Sequence, residues 1–498
     1  MRILMVTSEV FPFAKTGGLA DVASALSREL KRMGHDVRIL MPRYYHIDRA
    51  SLRKRDEALG IWLGRGEEWT AVYESELPGD GVPVYFLDHE RYYGRDGIYG
   101  ARPDEGFKDN AARFALLSRG AFQFCRMLHW IPDVIHCHDW PSAPACYLLK
   151  KEERWREFGK TLGVLTIHNL GYQGVFSLED ALYLQRESDR FNLSGLEFAG
   201  ALNFLKAGII CADEITTVSP TYAGEICRPE YGFGLDGLLT YRRSDLTGIL
   251  NGADYSDWNP ETDRFLAPDN YSLDSIAGKA RVKKKLQARL GLPVDSKVPL
   301  VGVVTRLVEQ KGVVELFAPV QGALYSICRD MAVQFAVLGS GEKWCEDELE
   351  HLNSRLGNLA YYRGYNEELS HYIQGGSDFC LMPSRYEPCG LSQIYSLAYG
   401  SLPIARATGG LVDTVENYDQ SAGRGTGFLF NDLSPHVLYQ VLGWVMDTWY
   451  NRRDHIRRMR RIAMKKRFLW ETSAQAYLGV YEKGLTKIKG TSPGRVRV

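Results

Sequence analysis

No apolar run in these 498 residues approaches the roughly 18 that a membrane-spanning helix needs. There is no Cys-x-x-Cys pair, and the nine cysteines are an odd number. Both facts argue against a disulfide framework and fit a reducing cytoplasm. Neither sign of charge is in excess, since Lys+Arg and Asp+Glu both total 61. That balance argues against nucleic acid or an anionic membrane as the main partner and leaves room only for a local basic face. The opening run Met1-Arg2-Ile3-Leu4-Met5-Val6 is too short for a signal peptide and reads as a strand.

What is present is an ordinary globular composition, 45% hydrophobic, on a chain too long for one core. Two domains, or three, are expected. A strand at residues 3–6, a helical pattern over 20–33 stopped by Gly34, and a strand at 37–41 make a βαβ opening. It predicts an α/β fold with a parallel, doubly wound sheet. Further strands are expected at 84–87, 134–138 and 162–167. The pattern restarts near Ile249, which places a domain boundary at about residues 245–260. Beyond it a helix over 276–290 ends at Gly291 and Pro293, and strands at 300–305, 334–338 and 379–382 predict a second parallel sheet. From about Pro435 the chain reads as helical, with a polar tail after Leu485. Arg457, Arg458, Arg460, Arg461, Lys465 and Lys466 alternate with Ile456, Met459, Ile462 and Ala463. That spacing describes a solvated helix packed by its apolar stripe, with an acidic partner as the alternative.

One short segment occurs twice: Thr16-Gly17-Gly18-Leu19-Ala20-Asp21 and Thr408-Gly409-Gly410-Leu411-Val412-Asp413. A Gly pair lets a bulky anion approach the backbone, and the helix that follows presents N–H groups to it. Either copy alone also serves as a simple break before a helix. The pair suggests two α/β halves that bind one phosphate-bearing ligand.

In open α/β sheets, ligands bind beyond the carboxyl ends of the strands, so the residues after each strand are the candidates. After the first come Glu9, Lys15, Gly17, Gly18 and Asp21. Their spacing fits neither Gly-x-Gly-x-x-Gly nor a P-loop, so NAD and Mg-ATP are not indicated. His136-Cys137-His138-Asp139-Trp140 follows residue 134. Two His at i, i+2 share a face, but no further ligands stand at metal-site spacing, which leaves substrate contact or a structural role. His168-Asn169, with Gly171 and Gln173, ends the strand at 162–167 in the same manner. In the second half, Arg306 and Lys311 offer a fork and a point charge for a diphosphate, or else are simply solvated. Glu387, within Pro383-Ser384-Arg385-Tyr386-Glu387-Pro388-Cys389-Gly390-Leu391, is a carboxylate placed between a strand and a helix. There it should stay ionised and accept sugar hydroxyls or neutralise positive charge.

Lys15-Thr16-Gly17-Gly18-Leu19-Ala20-Asp21-Val22 resembles the N-terminal signature of bacterial glycogen synthases and plant starch synthases. Val218-Ser219-Pro220-Thr221-Tyr222-Ala223, Gly232-Phe233-Gly234-Leu235-Asp236-Gly237-Leu238, Ile249-Leu250-Asn251-Gly252 with Trp258-Asn259-Pro260, and the 383–391 stretch resemble that family too. The likeness runs in order from residue 1 to about 485. It implies a GT-B fold, two Rossmann-like domains facing a cleft. Residues 1–250 would form the acceptor-side domain and 251–470 the donor domain, with a helix over 471–498 crossing back to the first. The implied reaction moves glucose from ADP-glucose to the non-reducing end of an α-1,4-glucan with retention, in the cytoplasm and without cofactor or metal.

By the same resemblance, Lys15, Arg306 and Lys311 neutralise the donor diphosphate, which Gly17, Gly18, Thr408 and Gly409 approach through the backbone. Tyr365 stacks on adenine, Glu387 holds the donor glucose, and His168 lines its pocket. Asp139, Asn251, Cys389, Gly390 and Leu391 are their neighbours. With one placed carboxylate rather than a nucleophile pair, retention points to same-face substitution through an oxocarbenium-like state. Two departures stand out: Pro141-Ser142-Ala143 replaces the usual His-Ala-Gly, and Ala253 replaces Val or Ile. The tyrosines of Tyr92-Tyr93-Gly94-Arg95-Asp96-Gly97-Ile98-Tyr99-Gly100 either stack on glucan, pack in the core or lie on an ordinary loop. Rival readings are a sucrose- or trehalose-forming transferase, a nucleotide-sugar 2-epimerase, and a non-catalytic glucan binder.

Overall fold

The computed structural model describes residues 1–64, 66–102, 105–184 and 196–490. They form two compact units, Met1–Asn251 with Trp470–Val498, and Gly252–Leu469.

In the first unit the strands are β1 (Arg2–Val6), β2 (Asp36–Pro42), β3 (Arg53–Leu63), β4 (Gly66–Glu76), β5 (Pro83–Asp88), β6 (Val134–His138) and β7 (Leu162–Ile167). Three short strands follow, β8 (Val175–Phe176), β9 (Glu197–Phe198) and β10 (Ala201–Asn203), then β11 (Glu214–Thr217) and β12 (Leu246–Gly248). One sheet has the order β12-β11-β7-β6-β1-β2-β5-β4-β3. From β12 to β5 every pairing is parallel. The central strands are largely apolar because both faces are covered, and residues 3–6 are wholly buried.

The parallel sheet expected from the sequence also carries an antiparallel hairpin, β3 with β4, at one edge. The charged run Arg53-Lys54-Arg55-Asp56-Glu57 hides that strand, since its alternation of buried and exposed residues is confined to residues 59–63. The helix Gly18–Arg32 buries Leu19, Val22, Ala23, Leu26 and Leu30, and Gly34 ends it at φ +87. A later helix, Trp470–Gly490, returns to this unit and packs on both the Gly18–Arg32 helix and β7. It runs to Gly490, past Leu485, where the polar tail was expected to begin. At Gly484 a Cβ would lie 2.5 Å from Leu162, which explains a glycine on the buried face of a helix.

The second unit contains β13 (Leu300–Val304), β14 (Gln334–Gly339), β15 (Leu359–Arg363), β16 (Phe379–Met382), β17 (Leu402–Arg406) and β18 (Phe428–Phe430). All pair in parallel, in the order β15-β14-β13-β16-β17-β18. The direction of winding reverses between β13 and β16, so the ligand crevice of such a sheet opens beyond the ends of those two strands. The basic helix Arg453–Ala463 buries Ile456, Met459 and Ala463 and leaves Arg457, Arg458 and Arg461 exposed.

Candidate active site

The second unit assembles its candidate residues around that reversal. Beyond β13 lies Arg306, exposed and without a side-chain hydrogen bond or ion pair among the described residues. A 3-10 turn, Glu309–Lys311, then ends at Gly312, whose φ is +73. A Cβ there would fall 1.9 Å from the carbonyl oxygen of Pro383, so glycine lets this turn lie against the exit of β16. The contact brings the Lys311 ammonium to donate to Glu387 Oε2 at 2.6 Å. Ser384 Oγ donates to the same oxygen at 3.0 Å. Glu387 is buried, and its Oε1 accepts no hydrogen bond among the described residues.

The exit of β17 closes on the same loop. The Gly410 N–H donates to the Glu387 carbonyl at 3.0 Å. Gly409 has φ +47, and a Cβ on it would meet that carbonyl at 1.9 Å. A Cβ on Gly410 would meet the Cys389 carbonyl at 2.1 Å. The second Thr-Gly-Gly copy is therefore required by close packing on the 383–391 loop. Thr408 and Cys389 are buried beside it, Gly390 turns at φ +72, and Leu391 precedes the helix Ser392–Ala398. Tyr365 stands after the edge strand β15 with 74% of its surface exposed.

In the first unit the exits of β1, β6 and β7 carry the candidates. The buried Glu9 carboxylate clamps the first Gly-Gly turn. It accepts from the Thr16 N–H, from Thr16 Oγ1 at 2.8 Å, from the Gly17 N–H at 3.3 Å and from the Tyr99 hydroxyl at 2.6 Å. Gly17, expected to present its N–H to a phosphate, thus donates to an internal carboxylate; Gly18 opens the helix that follows. Lys15 donates to Asp21 at 2.8 Å on the exposed side of the turn.

Asp139 begins the segment after β6 at φ +57, a left-handed conformation that Asp tolerates better than most residues. Its Oδ1 accepts from the N–H groups of His168 at 2.7 Å and Asn169 at 3.4 Å. Burial pushes its carboxyl up to about 8 against the pull of those donors. His138 Nδ1 and His168 Nε2 share a hydrogen bond at 3.0 Å, one ring N–H donating to the other's lone pair. Burial holds both rings neutral, moving His138 from 6.5 down to about 3 and His168 well below its ordinary value. His136 is fixed between Tyr481 at 2.8 Å and Thr166 at 2.6 Å, which makes it structural. Asn251 is buried, with Oδ1 accepting no bond among the described residues. The same unit has a groove of about 440 Å³, lined by Trp140, Tyr172, Val175, Phe176 and Phe233 among others.

Residues 2–241 match the starch synthase catalytic domain family, and 284–462 match glycosyl transferases group 1. A glycogen synthase of Treponema denticola is 52% identical over 487 residues, covering 98% of this chain and 99% of that protein. The chain belongs to the glycogen and starch synthase family. The structure of the starch synthase IV catalytic domain from Arabidopsis thaliana, bound to ADP and acarbose, matches with a TM-score of 0.87 at 30% identity. That match covers 97% of this chain and 99% of the plant domain. A sucrose-phosphate synthase from Thermosynechococcus elongatus, at 17% identity and a TM-score of 0.59 over 98% and 99% of the two chains, shares the fold. As a member of this family the protein is a glycosyltransferase with two α/β units.

Several supporting residues are not legible in the sequence alone. Glu9 stood among the residues after the first strand, but its clamp depends on the chain turning back at Thr16. His138 was visible only as half of a His-x-His pair. Ser384 and Gly312 act through loop contacts that no local spacing reveals. Tyr92 and Tyr93 are buried, so those two tyrosines of the 92–100 loop serve packing. Among the described residues no group of three or more His, Cys, Asp or Glu side chains is arranged to hold a metal ion. No described helix is long and apolar enough to cross a membrane.

Proposed function

We propose that the protein transfers glucose from ADP-glucose to the non-reducing end of an α-1,4-glucan, with retention and release of ADP, in the cytoplasm. The observation that carries the reading is the Lys311–Glu387–Ser384 cluster at the strand-order reversal of the second unit. The names of the relatives support the reaction, and the ADP and acarbose bound to the plant domain support the ligand classes.

When the bond to the leaving group breaks, negative charge develops on ADP. Arg306 and Lys311 are the cations assigned to it in this unit, and Lys15 is the one assigned in the first; fixed cations of this kind stabilise such charge without a metal. Lys311 also neutralises Glu387, which leaves Oε1 to accept a hydroxyl of the glucose. His168 is assigned to the glucose pocket, with Asp139 fixing the backbone that carries it. Thr408, Gly409, Cys389, Gly390 and Leu391 shape the donor loop, while Tyr365 and Asn251 are assigned to adenine and the pocket wall. Because the second oxygen of Glu387 is committed to glucose hydroxyls far from C1, attack on the anomeric carbon is left to the acceptor on the face the phosphate vacates. The leaving phosphate helps to take the acceptor's proton.

The test is incorporation of labelled glucose into glycogen from ADP-glucose and UDP-glucose, each with EDTA, for wild type and Lys15→Ala. Chelator-resistant transfer from ADP-glucose, much weakened in the variant, supports the reading. Absence of transfer from either donor, in folded protein with primer, refutes it. A trapped glucosyl–Glu387 adduct refutes the same-face step.

A further inference from the structure

The hairpin β3–β4 lies at the far edge of the first sheet and presents one face to solvent. Leu59, Ile61 and Leu63 are buried, and Ile61 reaches the helix Asn110–Met127 beside Gly120. The alternate residues therefore point outward. Among them Trp62 is 43% and Trp69 65% exposed, an unusual pair of large apolar rings to leave in water.

Their register puts them on one face. Trp62 pairs with Glu67 and Gly60 with Trp69, so the two tryptophans are diagonal neighbours. Gly60 leaves room between them, and the Glu67 side chain fills it: a Cβ on Gly60 would lie 2.4 Å from Glu67 Oε1. The face thus carries two exposed indoles with a carboxylate lying across the gap.

The geometry points to a second glucan-binding site on this hairpin, separate from the candidate active site. Flat indoles cover the apolar faces of sugar rings, while a carboxylate accepts hydrogen bonds from their hydroxyls. The same carboxylate repels phosphates, which disfavours nucleic acid and anionic lipid. The occupant is the outer part of the α-1,4-glucan, so the inference rests on the reading that a glucan is the acceptor. A second hold on a polymer raises its effective concentration at the site of transfer without adding contacts there.

The test is affinity electrophoresis in gels containing glycogen, together with transfer kinetics, for wild type and W62A/W69A. Loss of both rings should weaken retention by glycogen roughly 10-fold or more, the effect of uncovering about one sugar-stacking surface. The Michaelis constant for glycogen should rise in parallel, while kcat and transfer to maltotriose stay unchanged. E67Q should weaken retention less than the double variant. Equal retention of wild type and W62A/W69A overturns the inference while leaving the proposed function intact, because maltotriose transfer reports that separately. Equal loss of maltotriose and glycogen transfer also overturns it, since the rings would then support the fold or the active site.

Discussion

Glu9 offers the most direct perturbation of the first unit. Its buried carboxylate accepts from four donors: Thr16 N–H, Thr16 Oγ1, Gly17 N–H and Tyr99 OH. Hydrogen bonds to a charged group contribute about 1.5–3 kcal/mol each, but bonds to one carboxylate are coupled and do not add. Glu9→Ala, which strands all four donors, should cost about 4 kcal/mol of local stability. Glu9→Gln, which keeps one oxygen but turns an NH2 towards a donor, should cost about 2 kcal/mol. Native-state hydrogen exchange reads this at the amides concerned, with Thr16 and Gly17 exchanging faster in both variants. Loosening the turn that carries Lys15 should raise the Michaelis constant for ADP-glucose about tenfold, equivalent to about 1.4 kcal/mol. Unchanged exchange at both amides in Glu9→Ala, with an unchanged Michaelis constant, would refute the clamp.

Three further outcomes follow from the same geometry. Lys311→Ala should lower kcat by about 10²–10³, the usual effect of removing one group that stabilises transition-state charge, and Lys311→Arg should recover part of it. Steady-state rates with ADP-glucose decide this, and a kcat within a few-fold of wild type would contradict it. Gly409→Ala forces a methyl towards the Glu387 carbonyl from a left-handed backbone, so it should destabilise the second unit by about 2–3 kcal/mol and depress kcat, read by calorimetry and rates. On the acid side, His138 has a folded value of about 3 against an ordinary 6.5. A depressed value contributes stability above 6.5 that is lost as pH falls towards 3, with a slope of about 1.4 kcal/mol per pH unit. Urea titrations across that range should therefore be flatter for His138→Gln, and identical slopes would exclude the effect.

The sheets were legible because their inner strands are rich in apolar residues and end in Gly or polar punctuation. Residues 134–138, 162–167 and 379–382 begin and end in the structure where their composition changes. The hairpin β3–β4 was not, because its charged first half reads as a loop until tertiary packing buries Leu59 and Ile61. At the candidate site, Lys311, Glu387 and His168 announced themselves as charged or polar residues just past strands. Their partners did not, since Ser384, Gly312, Glu9 and His138 act through contacts made only when separate loops meet. The twin Thr-Gly-Gly segments show the limit most plainly. The same three residues are clamped by a carboxylate in one unit and pressed against a neighbouring loop in the other.

Chain lengthening tests the central claim most directly. Fluorescently end-labelled maltoheptaose is incubated with ADP-glucose and the products are resolved by length and digested with an exo-acting α-1,4-glucanase. The account predicts a ladder of products one glucose apart, wholly degraded by that enzyme, with one ADP released per glucose added. Release of glucose or ADP without a ladder, or added residues that resist the glucanase, would contradict it.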